Sequence, residues 1–155
     1  MKTVGFENLF RGLDDLEDDS IEGLYEGLQD GAELYEQGMK ETTAYQGMSG
    51  ATRTSSVAYV VSPNRNDFAK IEQAHAAAVA LLSNFSGHEG KPMLEDRPDP
   101  GNDSLMVVGT VPTTYQAKLE TLNAGAKAFV GPELDKTAGQ IFEAANNGVR
   151  RRLRR

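Results

Sequence analysis

Four glycines, Gly23, Gly27, Gly31 and Gly38, sit inside a stretch that otherwise reads as an amphipathic helix over residues 20–42. Each costs about 1 kcal/mol relative to alanine in a helix interior. One reason to keep them is that another backbone must come close, so this helix is expected to need a tightly packed neighbour. Ile21, Leu24, Leu28, Ala32, Tyr35 and Met39 recur at steps of three or four and form its apolar stripe. Glu26, Asp30, Glu33, Glu36 and Glu41 fill the remaining surface. Asp19 with Glu22 has the spacing of an N-cap and its reciprocal partner, which would start the helix there.

Upstream, Phe6, Leu9, Phe10, Leu13 and Leu16 read either as a short amphipathic helix or as a clamp against the core. The cluster Asp14-Asp15, Glu17-Asp18-Asp19 lacks the alternating ligands, central glycine and closing glutamate of a calcium loop. Carboxylates stabilised at a helix N-terminus account for it more simply.

The C-terminal fifty residues give the second strong pattern. Leu105-Met106-Val107-Val108 leads through Gly109-Thr110 into a polar crossover and then a short apolar entry, Ala128-Phe129-Val130. Gly131 suits an N-cap and Pro132 the first position of a terminal helix. Leu134, Ala138, Ile141, Ala145, Val149 and Leu153 would form its buried face.

Between these ends lie a polar loop over residues 43–55, a strand from Ser56 ended by Pro63, and a helix over residues 67–85. Ser49-Gly50-Ala51-Thr52 lacks the lysine of a phosphate loop. Arg53 would sit at the strand mouth, in reach of a neighbouring subunit. His75 falls on the apolar stripe of the inserted helix, where a core or interface role is expected. Six Gly and Pro residues then mark a long loop over residues 86–104.

The formal charge is −7, which removes generic attraction of the whole molecule to nucleic acid. The distribution is more informative. Residues 7–41 carry 12 acidic side chains against Arg11 and Lys40, whereas the last six residues carry five arginines. The two ends can pair within a chain or between subunits, or can simply be solvated helix faces. With no cysteine and only His75 and His88, no triad, dinucleotide or zinc motif is present, so neither an enzyme, a metal nor a cofactor is expected. No apolar run approaches the roughly 20 residues that span a bilayer, and Met1-Lys2-Thr3-Val4 does not start a secretory signal.

Three blocks resemble the small tail-component, or neck, proteins of long-tailed bacteriophages. Gly31-Ala32-Glu33-Leu34 is similar to part of that family's N-terminal helix. Tyr45-Gln46-Gly47-Met48-Ser49-Gly50-Ala51-Thr52-Arg53-Thr54-Ser55 resembles its Thr-Gly-x-Leu/Thr-Arg-x-Ser junction. The strand ending Val108-Gly109-Thr110 is followed by Tyr115 and Leu119-Glu120. Ala128-Phe129-Val130-Gly131-Pro132-Glu133-Leu134 then stands where the family often has Pro-Phe-Leu-x-Pro-Ala-Leu before an arginine-bearing helix. The blocks span roughly 90 of 155 residues. Two departures stand out: residues 64–104 are an insertion, and Leu119-Glu120-Thr121-Leu122 replaces Glu-x-Gly.

The expected fold is therefore one α/β, more narrowly α+β, domain over residues 1–155. A small mixed or antiparallel sheet, with strands near residues 57–62 and 105–111 and room for a third, is packed by long N- and C-terminal helices. The resemblance implies a structural virion protein, assembled in the host cytoplasm. It would form a homo-oligomeric ring of six, alternatively twelve, copies at the head–tail junction. Its neighbours would be connector or head-closure proteins and tail-tube or terminator proteins, and genomic DNA would cross its lumen without sequence-specific binding. Expected contact residues are Leu24, Leu28, Tyr35, Tyr45, Arg53, Tyr115, Glu120, Arg150, Arg151, Arg152, Arg154 and Arg155. The rival reading is a nucleic-acid-binding accessory protein acting through the arginine tail.

Overall fold

The glycine-bearing segment is one uninterrupted helix, α1 (Phe6–Glu41), in a computed structural model that describes residues 6–43, 50–61, 68–83, 106–110 and 129–154. Its 36 residues make it about 54 Å long. The expected start at Asp19 is not observed. No proline separates the upstream pattern from the downstream one, and extending a helix is cheaper than nucleating a second. Asp15, Glu17, Asp18 and Asp19 therefore lie exposed on mid-helix turns rather than at an N-terminus. Ser20 Oγ donates to the Leu16 carbonyl at 2.7 Å, one turn back along the same helix.

The chain continues through α2 (Ala51–Thr54), β1 (Val57–Val61), α3 (Phe68–Ser83), β2 (Met106–Thr110) and α4 (Val130–Leu153). Part of the expected polar loop is thus the helical turn α2, entered through Gly50 at φ 73°, a left-handed conformation that favours glycine. Ala51, Thr52 and Ser55 are buried. β1 and β2 pair antiparallel, with Val57 opposite Thr110 and Val61 opposite Met106. No third strand joins them among the described residues. The molecule is mostly helical with a small antiparallel sheet, an α+β arrangement.

The neighbour that α1 requires is α4. A Cβ on Gly23 would lie 2.7 Å from the Gly148 carbonyl oxygen and 2.8 Å from Val149 Cα. A Cβ on Gly31 would lie 2.9 Å from Ile141 Cα, and one on Gly27 would collide with the backbone of Ala144 and Ala145. Gly148 answers from the other side, where a Cβ would lie 2.7 Å from Gly27 N. As positions rise along α1 they fall along α4, so the two form an antiparallel hairpin with backbones in direct contact.

That seam sets which face of α4 is buried. Glu133, Thr137, Ile141, Ala145 and Gly148 turn inward, while Leu134, Ala138 and Leu153 of the expected stripe are exposed. Small side chains suit the line of backbone contact and large ones do not, so the helix is rotated from the position its apolar count implies. The helix also starts earlier than expected, at Val130, with Phe129 as N-cap. Phe129 is almost fully buried and the Val130 carbonyl is held by a tyrosine hydroxyl, which pins the start. Pro132 remains harmless in the first turn, where N–H groups have no intrahelical acceptor.

The sheet lies between the hairpin and α3. Ala58 and Val60 of β1 join Tyr25, Ala32, Tyr35, Met39, Phe129 and Ile141 in one cluster. Val57, Tyr59 and Val61 turn to the opposite face and pack with Ile71 of α3. All five β1 residues are buried, because both faces of the strand are covered. α3 matches the expected inserted helix, with Ile71 and Ala78 buried and His75 half-buried.

Two alanine substitutions test the seam by denaturant unfolding. Gly27→Ala is expected to lower stability by about 1–3 kcal/mol, because overpacking outweighs the gain in helix propensity. Gly139→Ala, whose Cβ would meet nothing within 4 Å, is expected to raise it by about 1 kcal/mol.

Candidate functional site

Charge gathers along one edge of the hairpin. Glu22, Glu26 and Asp30 recur every four residues on α1, and Arg151 and Arg152 reach them from the last turn of α4. Arg151 Nη2 lies 2.6 Å from Asp30 Oδ2. The Asp30 hydrogen bond, then its charge, raises the Arg151 pKa above its ordinary value, so this guanidinium stays charged. Arg152 Nη2 lies 2.6 Å from Glu26 Oε1 and 3.7 Å from Glu22 Oε1. Its stem crosses Gly23, and its Nε is buried without a hydrogen-bond partner among the described residues.

The second polar centre is Glu36. Its Oε2 accepts a hydrogen bond from the Ala58 backbone N–H at 3.2 Å, an amide of the edge strand turned away from β2. Oε1 pairs with Lys40, and Lys70 of α3 stands 3.9 Å from Oε2. One carboxylate thus joins α1, β1 and α3, and occupies an amide that would otherwise be open to strand pairing. Glu33, Glu36, Gln37, Lys40, Glu41 and Lys70 line an open groove of about 400 Å³. Its walls carry both signs of charge.

Apolar surface is left over on α4. Leu134, Ala138, Phe142 and Leu153 are exposed, Phe142 at 72%. Among the described residues no group of His, Asp or Glu is placed to hold a metal ion, and no helix is long and apolar enough to cross a membrane.

No protein-family model matches the chain, and no curated protein or solved structure matches it either. The candidate site therefore stands on its geometry and on the sequence resemblance alone.

The expected contact residues separate into groups. Tyr35 is in the core, 1% exposed: its hydroxyl donates to the Val130 carbonyl at 2.7 Å and its ring lies where a Cβ on Gly109 would be. Its side chain has no surface to offer a neighbour. Leu24 and Leu28 are half-buried, and Leu28 packs against the core. Arg53 Nη2 donates to the Thr42 carbonyl at 2.8 Å, just beyond the end of α1, and so serves its own chain. Arg151 and Arg152 are engaged within the hairpin, which answers for these two the question of pairing within or between chains. Arg150 and Arg154 are exposed. Tyr45, Tyr115, Glu120, Arg155 and the loop over residues 86–104 lie outside the described residues.

Sequence reasoning missed Glu36 and Phe142. Nothing local distinguishes Glu36 from the other acids of α1. Phe142 did leave a signal: Leu134, Ala138 and Phe142 recur every four residues, a second stripe beside the glycine-matched one.

Two measurements check these assignments. Arg152→Ala is expected to cost about 1 kcal/mol in chemical unfolding through its packed stem and paired head, while exposed Arg151→Ala leaves the midpoint unchanged. Glu36→Ala is expected to cost about 1–2 kcal/mol and to speed hydrogen exchange at the Ala58 amide.

Proposed function

We propose that the chain is a structural subunit of the head–tail junction of a long-tailed bacteriophage. It forms a homo-oligomeric ring around the DNA channel in a neck, tail-completion or tail-terminator role. The order and spacing of the three sequence blocks support this reading. The observation that carries it furthest is the surface a single copy leaves uncovered, an apolar line on α4 beside a long acidic helix. A subunit with two unlike uncovered surfaces can join copies head to tail, and such contacts form a ring when the rotation between copies closes.

The charge pattern fits a channel wall. Exposed Asp15, Glu17, Asp18, Asp19 and Glu33 give α1 a predominantly acidic surface that repels phosphate, so DNA passes without sticking. The rival reading, DNA binding through the arginine tail, loses the Arg151 and Arg152 charges to carboxylates of the same chain.

The test is solution mass at near-physiological salt with negative-stain imaging of the same sample. Closed rings of six or twelve copies are expected, with negligible DNA binding in a salt titration. A monomer whose DNA affinity falls steeply with salt, and vanishes on deleting residues 150–155, would overturn the proposal in favour of the rival.

A further inference from the structure

We infer that the amino-terminal arm of α1 docks on the exposed apolar ridge of α4 in a second copy of the chain. The inference rests on the self-association in the reading above, but on nothing about virions or DNA.

The first observation is an overhang. Gly23 of α1 stands level with Gly148 and Val149, and α4 ends at Leu153. Residues 6–18 of α1 therefore run past the end of their partner helix, a projection of roughly 20 Å. A lone helical stretch of this length is marginal in water unless something covers its apolar side. Leu16 on this projection is 51% exposed, and Ile21 at its base is 52% exposed.

The second observation is the ridge. Leu134, Ala138, Phe142 and Leu153 lie along one side of α4, where no other described element covers them. An aromatic ring 72% exposed on a rigid, well-packed helix is the kind of anchor that protein interfaces bury. Arm and ridge are both helical, so one can lie along the other as an amphipathic helix in a groove.

A single copy cannot lay its own arm along the ridge, because the arm projects past Leu153, away from Phe142, Ala138 and Leu134. Ile141 is level with Gly31, so Leu16 and Phe142 are roughly 20 Å apart along the hairpin axis. Backbone contact between α1 and α4 prevents either helix from sliding to close that gap. The occupant has to come from elsewhere, and charge identifies it. Asp15, Glu17, Asp18 and Asp19 are exposed and form no ion pair among the described residues. Arg150 and Arg154, at the arginine end of the ridge, are exposed and likewise form none. The arm carries the negative charge and the ridge end the positive charge, on the same chain. Asp135 lies at the other end of α4, so the acidic arm is oriented with residues 15–19 near Arg150 and Arg154. Contact of unlike surfaces between copies is heterologous and gives the head-to-tail geometry that a ring requires.

The chain has no cysteine, which makes disulfide trapping clean. A mass-tagged Leu16→Cys protein is mixed under mild oxidation with untagged Leu153→Cys protein, with Phe142→Cys, about 16 Å further along α4, and Glu72→Cys on the exposed side of α3 as controls. A disulfide heterodimer with Leu153→Cys and none with either control is the expected result. Phe142→Asp is expected to weaken association at least ~10-fold by concentration-dependent mass. Arg150→Glu with Arg154→Glu is expected to weaken it too, with recovery when Asp18→Lys and Asp19→Lys are added to the same chain. Assembly of the wild-type chain without Leu153→Cys heterodimers, and unchanged by Phe142→Asp, would overturn the docking mode while leaving the ring standing. A wild-type chain monomeric at every concentration, with no heterodimers, would overturn the docking mode and count against the ring as well.

Discussion

Backbone contact between the first and last helices is the constraint on which the rest of the structure depends. Gly23, Gly27 and Gly31 on one side, with Gly148 on the other, let two helices approach closer than any pair bearing side chains along the seam. Dispersion contacts are individually small, but a long line of close backbone contact accumulates many of them. The approach also fixes rotation and register. Neither helix can turn without driving a side chain into the other's main chain.

The remaining architecture follows from that registration. With α1 fixed, its other side presents Tyr25, Ala32, Tyr35 and Met39 to the sheet. Tyr35 crosses β2 at Gly109 and ends on the Val130 carbonyl, so one side chain ties the first helix, the second strand and the start of the last helix. Glu36, one residue on, performs the same office with charge, reaching β1 and α3. Neighbouring positions on one helix thus hold the two sides of a sheet too small to be stable by itself. The rotation that buries glycine in the seam also leaves Leu134 and Phe142 facing outward. Surface available to a partner is a consequence of how the hairpin closes.

The arginine tail shows how a composition signal divides on folding. Five arginines in six residues look like one patch in sequence. On a helix, successive residues point about 100° apart. Arg151 and Arg152 meet Asp30, Glu26 and Glu22, whereas Arg150 and Arg154 face away. The acidic excess of α1 divides in the same manner, into carboxylates that hold the hairpin shut and those on the projecting arm.

The sequence by itself determined the local elements. The need of α1 for a close neighbour was legible in Gly23, Gly27 and Gly31, the strand 57–61 in its β-branched and aromatic run, and the helix 68–83 in its periodicity, because each rests on interactions within a few residues. Only the tertiary structure decided that α4 buries Thr137 and Gly148 rather than Leu134 and Leu153, and that Tyr35 is a core residue. Periodicity reports how many apolar residues share a face, but not which face a particular partner can approach. That choice belongs to the glycine seam, where two segments over a hundred residues apart must fit backbone against backbone.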